Sequence, residues 1–298
     1  MRTDGDSWEI TESVGATALG VAAMRAAETR RDDALFHDPY AERLVRATGD
    51  SGWARMLDGD FARRRAELGR AGVGNGGFLV GRTVYFDEYF AAATAAGLRQ
   101  VVILAAGLDA RAFRLEWPSG TVLFELDQPK VLAFKAGALT GVAPAADRRE
   151  VAVDLRQDWP KILRDNGFNP SAPTAWLAEG LLRYLPADAL DRLFDNIDGL
   201  SATGSRIALN SGQVRSRRSE YERVARAKLL ADIGIQLDLD GLWYDEAGRS
   251  DPAEWFGGRG WTVSSTSLAE VLSAHGRPTS ADESADIDRH TLLTAIRG

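Results

Sequence analysis

The chain has no cysteine, which excludes disulfides, thiolate metal sites and cysteine nucleophiles together and suits a reducing compartment. Histidine is nearly as scarce: His37, His275 and His290 are the whole supply, and their scatter offers no metal-ligand spacing. No stretch of about 18 consecutive apolar residues occurs. The richest run, Val101 to Leu108, has the length of a buried strand, so no membrane span is expected. Met1 to Trp8 carries Arg2, Asp4 and Asp6 without an apolar run and does not read as an export signal, which makes the cytoplasm the expected location. Positive charge is also short. With 36 basic against 43 acidic residues the formal net charge is -7, unfavourable for a nucleic-acid binder whose affinity rests on neutralising phosphates.

What is present suffices for a sizeable core. The 298 residues are 45% hydrophobic and 8% aromatic, enough for one large domain or two small ones. Residues 1–97 read as a cap of Ala- and Arg-rich helices with no strand. Its last segment, Thr83 to Ala96, places Val84, Phe86, Tyr89, Phe90 and Ala93 mostly on one side and stops at Gly97. From there strands and helices alternate. The expected strands are Val101 to Ala105, Thr121 to Leu126, Glu150 to Leu155, Thr174 to Ala178 and Ser205 to Leu209, with helices opening at Pro129, Pro160 and Pro186. That alternation predicts an α/β fold with a doubly wound, mostly parallel sheet. Residues 213–258 interrupt it as a lid insertion over the C-terminal edge of the sheet. Strands near Trp261 to Ser265 and Thr291 to Ile296 then complete it. The expected organisation is one domain: helical cap 1–97, cofactor-binding core 98–212, lid 213–258 and the C-terminal part of the sheet 259–298.

A doubly wound sheet serves dinucleotide dehydrogenases, P-loop enzymes and S-adenosyl-L-methionine (AdoMet) methyltransferases alike. The turn after the first strand separates them. Ala105-Ala-Gly-Leu-Asp-Ala-Arg111 lacks both the G-x-G-x-x-G series and the P-loop lysine, and Asp109 would repel a phosphate. The same acid suits a ligand with an ammonium group and no phosphate, as AdoMet is. About 20 residues on, where ribose-binding folds place a carboxylate, both Glu125 and Asp127 occur. Alternation puts them on the same side of the strand, so periodicity does not choose between them. Asp154 and Glu179, at the ends of the third and fourth strands, extend a row of acids that would favour a cationic ligand.

Five motifs in order carry a more specific signal: Arg82-Thr-Val-Tyr-Phe-Asp-Glu-Tyr-Phe90, Leu104-Ala-Ala-Gly-Leu-Asp-Ala-Arg111, Phe124-Glu-Leu-Asp-Gln-Pro-Lys130, Val153-Asp-Leu155 and Ala178-Glu-Gly-Leu-Leu-Arg-Tyr-Leu-Pro186. With Phe36-His-Asp-Pro-Tyr40 before them, the series resembles the leucine carboxyl methyltransferase family, in particular its bacterial branch of AdoMet-dependent methyltransferases, over essentially the whole chain. The resemblance implies a Rossmann-like class I methyltransferase fold with AdoMet as cofactor. It also implies that Arg82 pairs with the AdoMet carboxylate, that the Gly107 backbone lies against the methionine part, and that Asp127 holds the ribose hydroxyls. Asp154 with Leu155 would border the adenine, and Glu179 would lie beside the cofactor near its amino end. Arg25 stays unassigned, because its spacing to the Phe36 to Tyr40 motif differs from the family pattern. Ala105 and Ala106 stand where many methyltransferases have glycine.

The family name implies O-methylation of a carboxylate on a small molecule or peptide by direct in-line transfer, with no metal. Such an acceptor is already ionised at neutral pH, at a reference pKa of about 4. A phenol or alcohol acceptor would instead require a base, for which His37 is the candidate by its motif position. A cofactor-binding regulatory protein without turnover is the alternative from another class. Trp243, Tyr244, Trp255 and Phe256 are expected either to line a substrate pocket or to pack the lid. Gly72 to Gly77 reads as a connector, and Arg215 to Arg218 as the solvated face of a helix.

Overall fold

The computed structural model describes residues 9–59, 77–212, 220–238, 240–244, 248–279 and 290–298. Glycines 72–76 and the Arg215 to Arg218 cluster lie outside the described residues. Seven strands, β1 (Gln100–Leu104), β2 (Val122–Asp127), β3 (Asp147–Ala152), β4 (Thr174–Ala178), β5 (Arg206–Gly212), β6 (Trp261–Ser267) and β7 (His290–Arg297), form one sheet in the order β3-β2-β1-β4-β5-β7-β6. The first five run parallel. β7 is antiparallel to both of its neighbours. This is the expected doubly wound fold, with chain order reversing between β1 and β4, where such sheets bind ligands at the carboxyl ends of their strands.

Both faces of β1 are covered, which is why its sequence is apolar without alternation. Val101 and Ile103 join a core with Leu19, Phe86 and Phe90, while Val102 and Leu104 join a second core with Trp159, Trp176, Phe194 and Phe256. The first core is roofed by helix α1 (Ser13–Thr29) and by the Gly77–Ala95 helix, which packs on β4, β5 and β7. That helix ends as its sequence demands: Gly97 takes φ 95°, and the Leu98 N–H donates to the Ala93 carbonyl at 3.1 Å, a left-handed glycine stop.

Two expectations shift. The third strand lies at Asp147–Ala152 rather than 150–155, because it is the sheet edge and its charged first half, Asp147 to Glu150, pairs with β2. Edge strands tolerate charge that a buried strand would not. The segment expected as a lid divides among three places. Leu230, Ile233 and Ile235 join the first core beside Trp53, and Trp255 and Phe256 join the second against Phe194. Trp243 and Tyr244 lie against Arg183, in the short turn of helix after β4, with the Arg183 guanidinium 4.6 Å from the Trp243 ring centroid and the Tyr244 N–H 3.0 Å from the Arg183 carbonyl.

Candidate functional site

After β1 the chain turns sharply. Ala105 takes φ 51° and Gly107 φ 49°, a left-handed geometry that costs an L-residue such as Ala105 roughly 1–2 kcal/mol. The turn brings the Gly107 N–H within 2.6 Å of Asp127 Oδ2, while Asp127 Oδ1 accepts the Gln128 N–H at 2.7 Å. Glu125, two residues deeper on the same side of β2, has a different fate. It is fully buried and engaged by Lys135 Nζ at 2.8 Å and Arg148 Nη2 at 2.6 Å. The choice that periodicity leaves open is made by what each carboxylate meets: Glu125 is closed inside the core, and Asp127 faces a cavity of about 210 Å³.

A network of four arginines and four carboxylates borders one end of that cavity. Arg82 Nε donates to Glu179 Oε1 at 2.8 Å, and Arg111 Nη1 to Glu179 Oε2 at 2.6 Å. Arg111 also bonds Asp109 at 2.5 Å and Asp87 at 2.7 Å, and Arg114 grips Asp87 through both terminal nitrogens at 2.7 Å. Arg25 reaches in from α1, its Nε 2.8 Å from Asp38 Oδ2 and its Nη2 2.7 Å from the Leu108 carbonyl. Burial opposes the charge on Asp109, yet Arg111 and Lys135 bring its carboxyl down to about 2. Among the described residues Asp127 makes no ion pair, and only the Lys135 charge acts on it from further off. Burial therefore wins over its two backbone donors, and its carboxyl is pushed up to about 6.

At the other end Asp154 grips Arg156 in a fork, Nε to Oδ1 at 2.9 Å and Nη2 to Oδ2 at 2.5 Å. α1 closes the front, contributing Val14, Thr17, Ala18 and Val21 to the wall.

Comparison with known proteins places this arrangement. The sequence pattern of the leucine carboxyl methyltransferase family matches residues 18–198. A protein of Mycobacteroides abscessus named "Putative S-adenosyl-L-methionine-dependent methyltransferase" is 52% identical over 300 residues, covering 98% of each chain. One of Mycobacterium tuberculosis with the same description is 50% identical over 308 residues, covering 100% of each. The chain belongs to the leucine carboxyl methyltransferase family. The fold is also that of two crystal structures. A "putative methyltransferase" from Thermobifida fusca has TM-score 0.54 at 16% identity, over 86% of this chain and 94% of that one. A DUF574 family protein from Streptomyces avermitilis has TM-score 0.51 at 12% identity, over 93% and 97%.

All six positions that the family resemblance singles out, Arg82, Gly107, Asp127, Asp154, Leu155 and Glu179, line this one cavity. The expected row of open acids is corrected, however. Asp154 is neutralised by Arg156, and Glu179 by Arg82 and Arg111, which leaves Asp127 as the one cavity carboxylate without a cationic partner among the described residues. His37 is exposed and outside the cavity; its neighbour Asp38 is the buried member of that family motif. Arg25, Gln128 and Arg156 also line the cavity and were not among the sequence candidates. Arg25 is found through its ion pair with Asp38, 13 residues away, a partnership that no local spacing reveals.

Proposed function

We propose that this methyltransferase binds AdoMet in the cavity at the carboxyl ends of β1 to β4 and O-methylates a carboxylate on a small molecule or peptide by direct in-line transfer. One observation carries the choice of acceptor. Among the described residues the cavity wall contains no histidine and no lysine, and every carboxylate in it except Asp127 is ion-paired. A wall whose one carboxylate outside an ion pair, Asp127, is given to the ribose suits an acceptor that is ionised beforehand, and a carboxylic acid is, at an ordinary pKa of about 4. With no cysteine in the chain, a methyl relay through a thiolate is also excluded.

The residues present fit the cofactor. A carboxylate has about four lone-pair positions. Asp127 has filled one on each oxygen with a backbone N–H, which leaves one on each for the two vicinal hydroxyls of a ribose. Arg82 bonds Glu179 through Nε alone, and its terminal nitrogens have no ion-pair partner among the described residues, so they are available to an α-carboxylate. A Cβ placed on Gly107 would lie 3.4 Å from Ala18 Cβ, so glycine keeps the slot between the turn and α1 open. AdoMet, when bound, supplies a methyl group on a sulfonium. Val14, Val21, Leu181 and Leu185 give the cavity an apolar lining, and an acceptor held against such a lining loses water from its oxygen and gains reactivity.

The test is incubation with AdoMet and a panel of carboxylic acids, phenols and alcohols, with products separated by stability to mild base. The reading expects methyl esters, which release methanol in base. A base-stable ether as the main product would contradict the carboxylate acceptor. AdoMet binding with no transfer to any member would favour a regulatory protein.

A further inference from the structure

The two edges of the sheet differ in how they meet solvent. In β3, Asp147 to Glu150 are all charged, which discourages a further strand from pairing there. β6, Trp-Thr-Val-Ser-Ser-Thr-Ser, has no charge and no proline, and it pairs with β7 along its whole length without a bulge. Its outer side pairs with no strand among the described residues. Which backbone groups face that side follows from β7. The Arg297 N–H donates to the Ser205 carbonyl at 2.8 Å, and the Arg297 carbonyl accepts the Gly204 N–H at 3.0 Å. Arg297 thus bonds away from β6, and Trp261, opposite it, bonds away from β7. Antiparallel strands alternate in this respect. The N–H and C=O groups of Trp261, Val263 and Ser265 therefore point outward, while the Ser267 N–H, next in the row, is taken by Glu270 Oε2 at 2.8 Å.

We propose that β6 is an interface at which two copies of this chain join their sheets, β6 pairing antiparallel with β6 about a two-fold axis through Val263. In that register every outward group is satisfied. Val263 meets its own counterpart, Trp261 meets Ser265 of the second copy, and each such pair exchanges both of its backbone hydrogen bonds. Charge matches the same register. Arg259 is exposed and meets Asp195 only at 3.5 Å. The pairing sets it opposite Ser267 of the second copy, where the Glu270 carboxylate is folded back on the strand end, and the two-fold axis makes this contact twice. Exposed apolar surface is matched too. Ile296, 38% exposed, lies beside Thr262 on the face where Leu292 and the Leu268–Ala274 helix join the first core. The pairing brings that helix of the second copy to the same end of the strand. Among the described residues none of β6 lines the cofactor cavity, so the cavity stays open to ligands in the dimer.

Sedimentation velocity of the wild-type chain, from micromolar to sub-millimolar concentration, tests the association. An edge-to-edge contact is small, so a monomer–dimer equilibrium is expected in the micromolar range, weakening as salt screens the Arg259 contacts. Ser265→Pro removes an outward N–H and none of the bonds to β7, and proline is tolerated at such a position on an edge strand. It should weaken dimerisation by about tenfold or more, as expected on losing one backbone bond per copy, with AdoMet affinity unchanged. Arg259→Glu should weaken it by about threefold or more.

The absence of cysteine allows the register to be tested by itself. In Val263→Cys the two introduced thiols face each other with Cα atoms about 5.5 Å apart, inside the roughly 4.4–6.8 Å span of disulfides. Mild oxidation should link the copies. Ser265→Cys, which faces Trp261 of the second copy rather than itself, should not link. A wild-type chain that stays monomeric throughout, or a Ser265→Pro variant that dimerises as wild type does, would overturn the proposal. So would a Val263→Cys chain that links no faster than Ser265→Cys. If Ser265→Pro does not fold, the two cysteine variants decide.

Discussion

Asp127 Oδ2 holds the Gly107 backbone N–H at 2.6 Å, so the carboxylate that would bind a ribose also fixes the turn after β1. Its carboxyl sits at about 6 because burial outweighs its two N–H donors. Ribose hydroxyls donate to the ionised form and favour it, so AdoMet affinity is expected to be flat above about pH 7 and to fall below about pH 6, approaching tenfold per pH unit. Calorimetry at pH 6 in buffers of different ionisation enthalpy should show proton release on binding. The sign for the empty protein is opposite. A carboxyl raised from 3.8 to about 6 favours the fold while protonated, and that contribution is lost as pH rises through this window.

Glu179 receives Arg82 on one oxygen and Arg111 on the other. Glu179→Ala would leave two buried guanidinium groups facing each other, and stability should fall by about 3 kcal/mol. Urea unfolding measures this, and a loss under about 1 kcal/mol would show that the network is not cooperative.

Ala105 bears a left-handed φ of 51° that glycine adopts without steric cost. Ala105→Gly should therefore leave thermal stability unchanged or slightly raised, since relief of about 1 kcal/mol is offset by the added freedom of the unfolded chain. Ala105→Val should lower it by about 2 kcal/mol or more, because a β-branched residue is poorly tolerated there.

Lys135 and Glu125 form an ion pair with no exposure at all. Lys135→Met would leave Glu125 with Arg148 alone, and stability should drop by about 3 kcal/mol. The charge of Lys135 also lowers the Asp127 carboxyl. The pH at which AdoMet binding weakens should accordingly move upward in this variant, a change that a purely structural lysine would not produce.

Periodicity and turn residues made most of the sheet legible: β4 lies where its apolar run places it, and Pro129 opens the helix after β2. β3 was misplaced by three residues because the apolar pair Val151 and Val153 marks where the edge strand enters the core, not where its hydrogen bonding begins. The six cavity positions were legible because they sit at strand ends in ordered motifs. Their pairings were not. That Asp154 is paired with Arg156 and Glu179 shared by two arginines depends on side-chain directions at strand ends, which spacing does not encode. For the same reason Trp255 and Phe256 gave no sign that they belong to the second core rather than to a cover.

The most direct test of the account is calorimetric titration of AdoMet into the wild-type chain and into Asp127→Ala at pH 7.5. Saturable binding to wild type is predicted, weakened by about tenfold or more in a variant that still melts cooperatively, as expected on losing hydrogen bonds to a charged group. Equal affinities, or no binding to wild type, would contradict it.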